Sequence, residues 1–367
     1  MTGAAMAAVM LTTGVGGSGA AGVGGQTAAG RPSVVVIGTG GTIAGTAPSR
    51  VDFQTYQPAS RPARELVDEL RPEIEGVARV RAVDFGAKGS GEYTIADFRQ
   101  LSLMVDEHLR SADAVVVTTG TQTMEELAYW LDLTVRSQKP VVVTAAMRPW
   151  NVVGSDGPSN LYNSVVLAAS RRTVCFGTVL MLNDEIFAAR EATKTSTTRL
   201  DTLQAPEVGV LGVVDERRVR LQRAPARVQH CAEPDQWRTP FDLSGLGADA
   251  LPRVEIMYAY ADAGGEPVDA FVHTGVKGLI AAGTPTPAQM APLIAALQSG
   301  VQVVAANRNG SGGVYETPEG VIAAEDLPPQ KARLLLLLAL ARAENPEQIR
   351  RWFQRYGIAE FAPDTRG

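Results

Sequence analysis

Short β-branched runs at 34–37, 79–83, 114–117, 141–144 and 178–182 alternate along the chain with helical periods at 95–109, 125–133 and 160–170. Mainly apolar runs of four or five residues, as at 34–37 and 114–117, read as strands buried on both faces, as in a parallel sheet covered by helices. The alternation predicts an α/β fold with a doubly wound parallel sheet in a first domain at 33–210. A smaller α/β pattern follows at 252–367, with strands at 253–258, 278–281 and 301–305 and helices at 287–299 and 331–343. Between them, 211–251 mixes charges with Pro225, Pro234 and Pro240 and shows no sustained period. It is read as a linker carrying a short hairpin at 212–221.

Charge narrows the partners. The chain has 34 Lys and Arg against 39 Asp and Glu, a net charge of -5, with no basic cluster. That excludes a nucleic-acid surface and points to small molecules. No run reaches the ~20 apolar residues of a membrane span. The leucines at 334–338 are bracketed by Gln330, Lys331, Arg333 and Arg342, which makes them a buried helix face. The Ala- and Gly-rich segment at 1–32 has a mildly apolar core and small-residue sites but lacks the basic start of a secretory leader. It is either signal-peptide-like, which would place the protein in the periplasm or outside the cell, or a disordered tail of a cytoplasmic protein. Cys175 and Cys231 are too few to define a disulfide framework and lack the context of a reactive thiol. His108, His230 and His273 are read as scattered surface residues, without the spacing of a metal site or a Ser-His-Asp enzyme.

Two of the expected strands end in a threonine inside a glycine-rich turn. Val34-Val35-Val36-Ile37 runs into Gly38-Thr39-Gly40-Gly41-Thr42-Ile43-Ala44-Gly45, and Ala114-Val115-Val116-Val117 runs into Thr118-Thr119-Gly120-Thr121-Gln122-Thr123. Open α/β sheets bind ligands beyond the carboxyl ends of their strands, and glycine lets the backbone approach them closely. Either threonine alone could be no more than a turn cap. Gly38 and Gly40 after a strand suggest a dinucleotide, but Ile43 stands where the third glycine is required and no Gly-Lys-Ser/Thr occurs.

These turns occur with Ala146-Met147-Arg148-Pro149, Ser155-Asp156-Gly157-Pro158, Asn160-Leu161-Tyr162-Asn163, Asn183-Asp184-Glu185, Thr193-Lys194-Thr195 and Gln330-Lys331-Ala332-Arg333. Over 33–356 the set resembles the bacterial L-asparaginase and glutaminase-asparaginase family. The first turn matches throughout. In the second, the family's His-Gly-Thr-Asp-Thr is replaced by Thr119-Gly120-Thr121-Gln122-Thr123.

The resemblance implies hydrolysis of a side-chain amide, of L-asparagine or a modified analogue, through a threonine acyl-enzyme. Thr42 would be the nucleophile and Tyr56 its activating partner, with Thr55 as the alternative if the loop is shifted by one residue. Thr121 and Lys194 would hold and activate water. Ser90 and the backbone near Gly120 would bind the α-carboxylate. Three positions of the substrate shell depart together: Gly91 replaces a Gln or Glu, Gln122 an aspartate that grips the α-ammonium, and Asp262 an asparagine. Asp262 could restore the lost charge, and Glu316 or Glu319 could supply a further family glutamate. Without its aspartate, Lys194 is expected to have a lowered pKa through burial. Asp156 is read as a turn former, and Trp150 as packing an interface or lining an altered pocket. Family members are dimers of dimers in which the smaller domain completes a neighbour's site. The residue set implies no metal or organic cofactor.

Overall fold

The computed structural model describes residues 30–358 and 360–361. The leader-like segment expected at 1–32 falls, up to residue 29, outside the described residues.

The larger sheet has eight strands: β1 (Ser33–Gly40), β2 (Arg79–Lys88), β3 (Ala114–Thr118), β4 (Val141–Thr144), β5 (Thr178–Leu182), β6 (Glu185–Ala188), β9 (Gly212–Asp215) and β10 (Arg218–Leu221). A small ribbon, β7 (Thr193–Lys194) with β8 (Leu203–Gln204), lies between them in sequence. The order across the large sheet is β10-β9-β6-β5-β4-β3-β1-β2. Pairing is parallel from β2 to β5 and antiparallel from β5 onward to β10. The hairpin expected inside the linker is thus the outer edge of this sheet. Its alternating pattern was legible, but its partner β6 lies remote from it in sequence.

Alternation explains the two-sided burial. Val35, Ile37, Val115 and Val117 face one apolar cluster, while Val34, Val36, Ala114 and Val116 face another. Helices α3 (Ile95–Leu109) and α4 (Met124–Thr134) cover the first face. Helices α1 (Ala63–Glu69), α2 (Arg71–Glu75) and α5 (Gly157–Ser170) cover the second. The short α6 (Pro234–Trp237) lies in the connecting segment.

The smaller domain has a four-stranded parallel sheet, β11 (Val254–Tyr258), β12 (Gly278–Ala282), β13 (Gln302–Ala306) and β14 (Ile322–Ala323). Helices α7 (Glu266–His273) and α8 (Pro287–Gln298) pack on one face. Helices α9 (Pro329–Arg342) and α10 (Pro346–Tyr356) lie on the other, where their side chains join the first cluster of the large domain. All five leucines at 334–338 are buried, because α9 is sandwiched between its own sheet and α4.

The two cysteines, expected to be merely inert, form a disulfide with Cα atoms 5.5 Å apart. It ties the turn after α5 to the connecting segment. Trp237 Nε1 donates to the Cys175 carbonyl at 2.8 Å, and Arg227 lies over the Trp237 ring at 3.9 Å while donating to Asp132 Oδ1 at 3.0 Å. Nothing local in the sequence pairs residues so far apart.

Candidate functional site

Chain order positions the site. From β1 the chain moves to β2 on one side and then crosses to β3 on the other, so the sheet's order reverses between β1 and β3. Ligand crevices form where strand order reverses, outside the carboxyl ends. Gly38 pairs with Thr118, so the two strands end at the same level and the two threonine turns leave side by side. Their contact is glycine to glycine: a Cβ on Gly41, at φ 77°, would fall inside the backbone of Gly120. Any larger residue would wedge the turns apart.

Thr42 opens a single 3-10 turn at Thr42–Ala44 and is 8% exposed. Its Oγ1 lies 2.6 Å from the Tyr56 hydroxyl. The intervening loop folds back because Thr46 and Gln57 exchange two main-chain hydrogen bonds of 3.0 and 2.9 Å. The Tyr56 ring then rests on Gly45, where a Cβ would meet Cδ2 at 2.9 Å. Of the two candidates at 55 and 56, Tyr56 reaches Thr42 and Thr55 is exposed.

The loop's base is pinned from outside. Trp150 N donates to Gly45 O at 3.1 Å, and Asn151 exchanges two bonds of 2.9 Å with Ala47. Trp150 itself is buried in the second cluster, with Nε1 donating to Glu69 Oε2 at 2.6 Å and Arg61 over its ring. Within the subunit it packs the core that supports the loop, a role that neither expectation named.

Thr121, also 8% exposed, receives a 2.8 Å hydrogen bond from Lys194 Nζ. Ser90 sits with its Oγ against the Cα of Gly120, and Thr123 Oγ1 donates to Ser90 O at 3.2 Å. The structure therefore gathers Thr42, Tyr56, Ser90, Gly120, Thr121 and Lys194 around the two turns. Gly91 is exposed, and a Cβ there would meet nothing within 4 Å. Gln122 is exposed and makes no hydrogen bond among the described residues. Asp262 and Glu316 are exposed on loops of the smaller domain and share no hydrogen bond with either threonine turn of their own subunit.

Burial lowers the Lys194 pKa, as expected, but the expectation that the lysine lacks a carboxylate needs correction. Glu125, itself buried, partly offsets the shift by its negative charge. Its Oε2 accepts the Lys194 main-chain N–H at 3.1 Å, and its Oε1 accepts Gln330 Nε2 at 2.8 Å. The sequence reading missed Glu125. Its only local signal is an acidic residue in the first turn of α4, which a helix N-terminus favours anyway.

Other motif residues form scaffold. Asp156 accepts the N–H groups of Met147 and Arg148 at 2.9 Å each and the Asn160 amide at 3.0 Å. Asn160 also donates to Ala145 O and accepts from Asn183 N, both at 3.0 Å. Four of the motif blocks thus fix one another behind the site. Among the described residues, no group of three or more His, Cys, Asp or Glu is placed to hold a metal ion.

Residues 33–227 match the family model described as asparaginase, N-terminal, and residues 253–353 the glutaminase/asparaginase C-terminal domain. A probable periplasmic L-asparaginase of Haemophilus influenzae is 36% identical over 339 residues, 90% of this chain and 94% of that protein. L-asparaginase 2 of Escherichia coli is 36% identical over 89% and 93% of the two chains. The glutaminase-asparaginase of Acinetobacter glutaminasificans is 33% identical over 89% and 100%. The crystal structure of a probable cytoplasmic L-asparaginase from Campylobacter jejuni superposes with a TM-score of 0.82 at 32% identity, covering 89% of this chain and 100% of that one.

Proposed function

The chain belongs to the asparaginase family of amidohydrolases, and from that premise we propose that it cleaves a side-chain amide, of L-asparagine or a modified analogue, with Thr42 as the nucleophile. The observation that supports this is the pair of hydrogen-bonded hydroxyls on abutting turns, Thr42 with Tyr56 and Thr121 with Lys194. A threonine hydroxyl needs such a partner to act at neutral pH. In the proposed course, Thr42 Oγ1 attacks the amide carbon as its proton passes to the Tyr56 hydroxyl, which gives up its own proton toward the leaving nitrogen. The tetrahedral adduct collapses to an acyl-enzyme, and ammonia or an amine leaves carrying that proton. Water, held by Thr121 and passing a proton to Lys194 in its uncharged form, then attacks the ester, and the proton taken up by Lys194 returns to Thr42 Oγ1 as the acid leaves. Ser90 and the Gly120 backbone hold the substrate carboxylate.

Gln122 and Gly91 favour a substrate with less dependence on a free α-ammonium group, such as an N-substituted asparagine or succinamate. A panel of asparagine, glutamine and succinamate tests this: turnover of at least one amide, lost in Thr42→Ala, is expected. Selective, efficient asparagine turnover would overturn the altered selectivity, and hydrolysis that survives Thr42→Ala would overturn the nucleophile.

The protein is further proposed to be a dimer of dimers, with Asp262 and Glu316 reaching a neighbour's site, and to be exported. The Cys175–Cys231 bond supports export, since disulfides persist in oxidising compartments. Mass spectrometry of the mature N-terminus would check it. Among the described residues, no helix is long and apolar enough to cross a membrane.

A further inference from the structure

Thr121 and Lys194 are 73 residues apart, and the ribbon that carries Lys194 has only two residues in each of its strands. So short a ribbon cannot fix a lysine by its own ladder. Its rigidity comes from elsewhere. Glu125, in the first turn of the helix that follows Thr121, bridges the Lys194 main chain to the Gln330 amide at the start of α9. The next residue, Lys331, is fully buried, and its ammonium donates to the carbonyls of Ala189 and Arg190 at 2.9 Å and to that of Ala192. Two adjacent side chains of the smaller domain thus seize both Glu125 and the turn leading into Lys194.

We propose that Glu125 is a positioning residue for the Thr121–Lys194 pair, held in register by Gln330, so that seating of the smaller domain sets the geometry of water activation. The proposal rests on the function given above for Lys194. Glu125 touches the lysine's backbone rather than the substrate, so its loss should fall on kcat and not on KM. It also places a negative charge beside the ammonium, so its removal should ease deprotonation of Lys194. The other charged groups around this cluster are Glu126 and Asp132 from α4, Arg190 and Glu191 from the turn, and Lys331 and Arg333 from α9. None of these is removed by the substitution.

The test uses the full chain with Glu125→Gln, which keeps shape and removes charge. Two readouts are taken: steady-state kinetics against pH on the amide that the wild type turns over, and NMR titration of the Lys194 side chain, assigned with Lys194→Arg. Expected are a kcat lower by ten- to a hundredfold, the order that a small misplacement costs, and KM within about threefold. The acidic limb of the rate profile and the Lys194 midpoint should both move to lower pH, by about one unit for loss of a nearby opposite charge. Unchanged kcat with an unmoved midpoint would overturn the proposal. Should the wild type hydrolyse nothing, the functional reading fails while the Lys194 midpoint still decides this one. If Glu125→Gln does not fold, Gln330→Ala at a half-buried position releases one carboxylate oxygen. A fall in kcat of about tenfold at unchanged KM is then expected, and wild-type kcat in that variant would refute the clamp.

Discussion

At the scale of single residues, Gln122 is the side chain with the largest expected consequence. It adjoins Thr121 and is exposed and uncharged at the site's edge. A charge-assisted hydrogen bond to an ammonium is worth ~1.5–3 kcal/mol, roughly ten- to a hundredfold in affinity. Gln122→Asp should therefore lower the KM for L-asparagine by about that factor and leave succinamate, which has no ammonium, nearly unaffected. An unchanged KM ratio would show that this position does not meet the ammonium. Thr42 and Thr121 were legible in the sequence because each sits in a contiguous motif whose glycines announce a close approach, and Lys194 through the Thr193-Lys194-Thr195 block that resembles the family. Tyr56 was legible only as one of two neighbours, and the fold of the loop decided between them. Glu125 was not legible, since its partners lie 69 and 205 residues away.

At the scale of elements, α9 shows how a helix can pack and pin at once. Its leucines bury between its own sheet and α4, while Lys331 at its start reaches three carbonyls that precede Lys194. Lys331→Met would leave those acceptors buried without donors, at ~1–3 kcal/mol each before any relaxation. A loss of roughly 3 kcal/mol in denaturant unfolding at pH 7 is expected, and a loss below about 1 kcal/mol would contradict it. Burial pushes the Lys331 ammonium down to about 8 from 10.5, with the charge of Glu125 opposing. Between those two values the unfolded chain holds the proton and the folded chain does not, so folding releases it and stability rises with pH. Below about 8 both states hold it and this dependence vanishes. The rise should be present in the wild type and smaller in Lys331→Met, where only the contribution of Lys194, also lowered by burial, is left. The neighbouring Glu126, pushed up to about 7 chiefly by burial, titrates below that window and does not confuse the measurement.

At the scale of the whole molecule, the connecting segment is fastened to the large domain by the Cys175–Cys231 bond, which spans 56 residues. Closing a loop of that size in the unfolded chain is worth about 4 kcal/mol by the chain-entropy model. The double variant Cys175→Ser with Cys231→Ser should lose stability of that order in denaturant melts, while kcat at low temperature stays unchanged, because neither cysteine adjoins the threonine turns. A melt indistinguishable from the wild type would show that the reduced chain retains the same constraint. By itself the sequence determined the α/β class and the two threonine turns, because strand periodicity and glycine punctuation are local properties of the chain, and it pointed to the lysine through the resemblance of its motif. Only the tertiary structure decided that β1 and β3 are neighbours at a reversal of strand order, that the 212–221 hairpin edges the large sheet, that the cysteines pair, and that Glu125 and Gln330 brace Lys194. Each of these joins residues distant in the chain, and burial and hydrogen-bond satisfaction choose such partners only once the layers have packed.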